Sequence, residues 1–147
     1  MFKHLLVPVD GGPLTKRAIQ ASIDLAQQLS AAITGFIAEP LPPLPLGPSA
    51  DLSQERDAHD DDTLTPTRAA EVLAEFATRA KAAGVVFNGH HEAVARVDRA
   101  IIAAAESRGC DMIVMVTHGR GIFGEFLFGS QTKAVLAGSK LPLLVLH

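Results

Sequence analysis

Short, nearly unbroken apolar runs alternate along the chain with longer stretches in which apolar residues recur every three or four positions. The first rhythm is that of strands buried on both faces of a parallel sheet, and the second is that of amphipathic helices. Residues 4–10, HLLVPVD, read as the first strand, closed by the turn Gly11-Gly12-Pro13. Leu14, Ala18, Ala21, Leu25 and Leu29 then mark one helical face, with Lys16, Arg17, Gln20 and Gln27 turned away from it. Residues 31–39, AAITGFIAE, form the second expected strand. A second helix is expected to start at Thr65-Pro66, where a hydroxyl can cap free N–H groups and proline suits the first helical position. Its stripe is Ala69, Val72, Leu73, Phe76 and Ala80, and Gly84 ends it. Residues 85–94 follow as a third strand with a polar exit. Val97, Ile101, Ile102 and Ala105 mark a third helix that stops at Gly109. Residues 111–119 give the fourth strand, 129–140 the fourth helix and 141–147 the last strand. The alternation predicts an α/β domain built on an open, mostly parallel sheet.

The rhythm lapses at residues 40–63. Pro40, Pro42, Pro43, Pro45 and Pro48 exclude a continuous helix or a central strand, and the acidic run Asp60-Asp61-Asp62 follows them. A mobile surface loop within a single domain, 1–147, is the expectation. A chain of 147 residues is long enough to bury a core without disulfides or metals. Its 48% apolar content, 20% charged content and formal net charge of -3 favour neither disorder nor a polyanion-binding surface, so nucleic acid is not expected as a partner. Cys110 is the only cysteine, which fits a reducing compartment. The N-terminal apolar run is too short for a signal peptide, and no run reaches the span of a membrane helix. A cytoplasmic protein with no membrane contact is expected.

The chemistry concentrates where an open α/β sheet binds ligands, beyond the carboxyl ends of the strands at the point where strand order reverses. The first and fourth strands are the natural pair there, which sets Asp10 opposite the loop after Met115. That loop carries Gly119, Gly121, Gly124 and Gly129 and runs into the fourth helix. Glycines allow close backbone approach, and a helix start adds unpaired N–H groups and partial positive charge, a combination suited to phosphate. The amides of Gly129 and Ser130 and the Ser130 hydroxyl are the candidate phosphate donors, and Asp10 can accept from a ribose or adenine group. The plainer account is that the glycines build a tight turn and that Ser130 is a helix N-cap. Ile122, Phe123, Phe126, Leu127 and Phe128 make the loop apolar for a surface turn, and packing on the domain or a partner accounts for most of them.

With these stretches in hand, the sequence resembles the universal stress protein family across nearly its whole length, through KHLLVPVDGG, TKRAIQASIDLAQQL, GCDMIVMVTHGR and GSQTKAVLAGSKLPLLVLH. The resemblance implies a five-stranded sheet of order 3-2-1-4-5 with helices on both faces, and a homodimer through the last strand, Leu143 to Leu146. It also implies binding of ATP, AMP or ADP. Nucleotide-binding members carry glycine, any two residues, glycine, any nine, then glycine with serine or threonine. Here Gly119, residues 120–128 and Gly129-Ser130 match, while Val116, preceded by Met115, stands where the first glycine belongs. Valine avoids positive φ, so a geometry needing a bare backbone there is altered. The implied site takes Met115, Val116, His118, Gly119, Arg120, Gly129, Ser130 and Gln131 on the loop side. Pro8, Asp10 and the apolar Ile37, beside adenine, stand opposite. The usual glycine-any-proline before the third helix is replaced by Ala95-Arg96-Val97.

Other polar residues are weaker candidates. His90 and His91 are neighbours on a strand, so they point to opposite faces and cannot chelate one metal. His59 with Asp60, Asp61 and Asp62 reads as a solvated acidic loop. His118, at the crevice, can reach a phosphate or act as a weak acid but reads more simply as an exposed loop residue. Glu125 is the carboxylate inside the glycine loop, and Mg²⁺ beside a bound nucleotide would need a ligand of that kind. Cys110 reads as a small apolar residue. No nucleophile with an attached base, paired carboxylates or Walker-type lysine assembles from the spacings, so a binding module is expected rather than an efficient enzyme, with slow hydrolysis permitted by the resemblance. Two alternatives remain: a stress-response dimer acting by protein contacts without nucleotide, and a nucleotidyl-transfer enzyme of related fold. DGGPLTKR offers no catalytic motif for the latter.

Overall fold

The computed structural model describes residues 1–41, 64–116 and 129–146. Strands β1 (His4–Pro8), β2 (Ala32–Pro40), β3 (Phe87–Val94), β4 (Met112–Val116) and β5 (Leu143–Leu146) alternate with helices α1 (Thr15–Leu29), α2 (Pro66–Ala82), α3 (Val97–Ser107) and α4 (Ser130–Gly138). The strands form one sheet of order β3-β2-β1-β4-β5, and all four pairings are parallel. The first strand ends at Pro8, two residues short of the expected span, and the third begins at Phe87. Beyond Pro40 and Leu41 the proline-rich and acidic segment lies outside the described residues, as does the expected continuation of β4 past Val116.

Alternation within β1 shows how the core is divided. Leu5 and Val7 join Ile19, Ile23, Ile33, Ile37, Val72 and Phe76 in a cluster under α1 and α2. Leu6 points the other way, joining Phe36, Ile101, Ala105, Ile113 and Val135 under α3 and α4. Helices on both faces explain why these strands read as solid apolar runs: no strand face in the centre of the sheet meets water. Phe36 and Phe76 are fully buried, and truncating either to alanine would cost about 3–5 kcal/mol. Gly35 is required by packing, because a Cβ there would lie 2.7 Å from the Phe87 ring, which itself sits 4.6 Å from Phe76.

The helix boundaries follow local signals with two exceptions. Thr65 caps α2, its hydroxyl accepting from the Arg68 N–H at 3.2 Å, with Pro66 as the first helical residue. Gly84 and Gly109 follow α2 and α3 as the spacing anticipates. α1, however, ends on Ser30 at φ 51, a left-handed residue without the glycine that usually marks one. α4 is preceded by Gly129 as N-cap, so Ser130 is its first helical residue rather than its cap.

Candidate functional site

Pairing between β1 and β4 lapses at one residue. His4 turns its main chain toward β4, its carbonyl accepting from the Asp111 N–H at 2.9 Å, whereas the Val9 N–H turns the other way and donates to the Phe36 carbonyl on β2 at 2.9 Å. Main-chain groups of a parallel strand alternate in direction, so Leu6 and Pro8 face β4 as His4 does. The β1·β4 register covers Leu5↔Met112 and Leu6↔Ile113 and stops there. The next donor would be the nitrogen of Pro8, which carries no hydrogen. β1 stays paired with β2 through Pro8↔Phe36 and β4 with β5 through Val116↔Leu146, so each half continues while the contact between them lapses.

Asp10 follows β1 beyond this point, exposed, with its carboxylate oriented by its own turn. Oδ1 accepts from the Gly12 N–H at 2.8 Å and from the Thr15 hydroxyl at 3.3 Å. The turn depends on Gly11 at φ 77, a left-handed conformation that glycine adopts without steric cost. A Cβ on Gly12 would come 3.0 Å from Asp10 Oδ1, so that glycine leaves room for the carboxylate. Gly12 and Thr15 were not legible as site residues. The available signal was an aspartate two residues before a turn glycine and five before a helix-starting threonine.

On the β4 side, α4 begins. Its first intrahelical bond runs from the Lys133 N–H to the Gly129 carbonyl at 3.1 Å, which leaves the N–H groups of Ser130, Gln131 and Thr132 without helical acceptors. Ser130 and Gln131 are exposed, and Thr132 is buried. Gly129 has φ -59, and a Cβ built on it meets nothing within 4 Å, so neither backbone strain nor packing among the described residues demands glycine there. A helix start with free donors suits an anionic group, and a carboxylate suits a hydrogen-bond donor.

The remaining sequence-derived candidates divide by position. Met115 is buried and packs on the α3/α4 side, while Val116, half-buried, packs on the α1/α2 side. The Ile37 side chain is fully buried in the α1/α2 core, and its residue is registered with His91 of β3. His118, Gly119, Arg120 and Glu125 lie outside the described residues. His90 and His91 take different partners on opposite faces: His90 stacks on Phe36 with ring centroids 5.8 Å apart, and His91 contacts Glu39 through Nδ1. At the start of α3, Arg96 grips Asp98 at 3.1 and 3.0 Å. That side-chain bond raises the guanidinium pKa and lowers the carboxyl; the Arg96 side chain is exposed and that of Asp98 largely covered. Among the described residues no helix is long and apolar enough to cross a membrane.

One parallel sheet with helices on both faces defines an open, doubly wound α/β class. Within that class the chain belongs to the universal stress protein family, whose model matches residues 1–147. It is 26% identical over 149 residues to Universal stress protein MJ0531 of Methanocaldococcus jannaschii, covering 99% of this chain and 82% of that one. The fold matches a crystal structure of a universal stress protein in complex with cAMP, at TM-score 0.68 and 21% identity, covering 99% of this chain and 97% of the other. It also matches a universal stress protein from Archaeoglobus fulgidus in complex with dAMP, at TM-score 0.63 and 15% identity, covering 100% and 98%.

Proposed function

We propose that the chain binds an adenine nucleotide, ATP or its AMP or ADP form, in the crevice between β1 and β4, and that occupancy is communicated through a dimer surface at β5. The observation that supports this reading is the end of β1–β4 pairing at Pro8, with the Asp10 turn following β1 and the unpaired N–H groups of α4 following the β4 side of the sheet. The phosphates take the Ser130–Thr132 amides and the Ser130 hydroxyl, where helix dipole and donors favour an anion. Mg²⁺ accompanies the polyphosphate form. The relatives in complex with cAMP and dAMP support an adenine nucleotide as the ligand class. The protein works by linkage in a reducing cytoplasmic setting: nucleotide stabilises the state that binds it, by about 2.7 kcal/mol at a hundredfold excess over Kd.

The dimer rests on β5, a strand of four half-buried apolar residues that among the described residues lies at the sheet edge, paired with β4. An unpaired apolar edge invites a second strand.

The test uses the chain's own spectrum. With no Trp and no Tyr, it absorbs little near 280 nm, so a co-purified adenine band dominates a desalted sample. Titration calorimetry with AMP and Mg-ATP is expected to give heat in the native protein and none in Gly129→Val, with the unfolding temperature of that variant unchanged because no atom of the described residues lies within 4 Å of a Cβ at position 129. Absence of both band and heat in the native protein would favour the alternative in which the β5 dimer acts by protein contacts alone.

A further inference from the structure

Two adjacent histidines on β3 are exposed to nearly the same degree and are held in different ways. The His90 side chain is 32% exposed and that of His91 36%. His90 stacks on Phe36, and its Nε2 lies 3.7 Å from Glu92 Oε2, a carboxylate at the surface. His91 has Nδ1 against Oε1 of Glu39, a residue only 6% exposed. An ionised carboxylate is an acceptor only, so this partner assigns the ring proton to Nδ1 and leaves a lone pair on Nε2. His91 Nε2 makes no hydrogen bond among the described residues.

An imidazole arranged in this way is fit to attack an electrophile. Glu39 fixes its tautomer and orientation, and it faces the positive charge that forms on the ring as Nε2 makes a bond. A metal would want further donors, and among the described residues no three of His, Cys, Asp and Glu gather to hold one. The surroundings suit an electrophile that carries negative charge. Residues 87, 89 and 91 share one face of β3. Phe87 packs on Phe76 at 4.6 Å, and a Cβ on Gly89 would meet Leu73 at 3.3 Å, so this face climbs α2 toward its start. One further step brings the level of His91 to the first turn of α2, which holds no acidic residue. A helix N-terminus of that kind favours a phosphoryl group over a neutral or cationic one.

We propose that His91 is a phosphoryl acceptor: Nε2 attacks the phosphorus of a donor that carries a P–N bond, with Glu39 as the positioning residue. The Nε2–P bond forms as the P–N bond of the donor breaks. The donor nitrogen leaves with the bonding pair, as ammonia where the donor is phosphoramidate, and the ring keeps its Nδ1 proton against Glu39. One P–N bond replaces another, so the step needs no second reactant. The site is built on β2 and β3 and does not rest on nucleotide binding between β1 and β4.

Phosphoramidate is the probe, applied to the full chain at neutral pH. Intact mass is expected to show one added phosphoryl group with the acid lability and alkali stability of phosphohistidine. Peptide mapping is expected to place it on His91 in preference to His90 by about tenfold or more, the size of one hydrogen bond to a charged group. In urea, where neither ring has a partner, the two are expected to react alike. Glu39→Gln can hold the ring in its other tautomer and is expected to bring the preference below about threefold, whereas His90→Ala leaves the labelling of His91 unchanged. Both rings are read in one molecule, and thermal unfolding of Glu39→Gln distinguishes a lost tautomer from a lost fold. The native chain decides the matter even where that variant fails to fold. No labelling of His91, phosphoryl spread evenly over the histidines of the native chain, or a preference unaltered in a folded Glu39→Gln would overturn the proposal.

Discussion

Glu39 on β2 and His91 on β3 meet on the α1/α2 face of the sheet, Oε1 against Nδ1, two residues out of register with each other. Glu39 is 6% exposed, and an acidic side chain so placed needs a donor. The contact ties the exits of two strands together at the carboxyl edge, next to the Leu41 N–H, which donates to the Val94 carbonyl at 3.0 Å. His91→Ala strands the carboxylate and is expected to cost about 1–3 kcal/mol in urea unfolding. Adding Glu39→Gln should recover part of that loss, because a neutral amide is cheaper to bury. A double variant no more stable than His91→Ala would mean that the stranded charge is not what costs stability.

Val116, where the family resemblance would put the first motif glycine, is a strand residue paired with Leu146, with its side chain turned into the α1/α2 core. Val116→Gly is expected to lower stability by about 1–2 kcal/mol, through lost burial and the backbone freedom of glycine. The same variant is expected to bind AMP more tightly, because the strand end no longer resists reshaping toward the ligand. Thermal unfolding and calorimetry on one preparation read both effects, and an unchanged affinity would show that the loop already accommodates valine.

The β5 edge can be tested without disturbing the sheet. The Ile113 N–H donates to the Pro142 carbonyl at 2.9 Å, so Pro142, Leu144 and Leu146 direct their main chains toward β4 and Leu143 and Val145 direct theirs outward. Proline is tolerated in an edge strand when the lost N–H faces away from the ladder. Val145→Pro is therefore expected to give a folded monomer where the native chain sediments as a dimer at micromolar concentration. A native monomer under those conditions would remove the dimer from the proposed function.

Cys110 is expected to set an alkaline limit on stability. Burial pushes its thiol pKa up, and the Thr34 hydroxyl, which offsets this only in part, is itself engaged by His4 Nε2 at 2.8 Å. A folded pKa raised above the unfolded one contributes stability that is fully present below the unfolded value, about 8.5, and is lost as pH rises through the folded value. The unfolding temperature should therefore fall above about pH 8.5, and Cys110→Ala should flatten that limb while leaving the neutral region little changed in slope. Thiol reagents should react with Cys110 only as fast as the domain opens.

The elements of this fold were written locally. Apolar period, the Thr65-Pro66 start and the glycines at 84 and 109 all act through neighbours within a turn or two, so the strands and helices were legible with errors of a residue or two at their ends. Asp10 and the start of α4 were legible for the same reason: a turn and a helix N-terminus are short-range features. Ser30 escaped because a left-handed serine carries no glycine to announce it.

What the sequence by itself determined is therefore the set of elements, the two-faced burial of the strands and the chemistry available at each loop. The neighbouring of β1 and β4 is expected from the resemblance and is what the sheet shows, but only the tertiary structure decided that the missing hydrogen of Pro8 falls on the β4 side and that Glu39 lies diagonal to His91. It also decided that Ile37 faces the core. Strand neighbours and register join residues about as far apart in the chain as Glu39 and His91 or Leu6 and Ile113, and they are set by how helices pack over both faces of the sheet rather than by any preference of the residues taken singly.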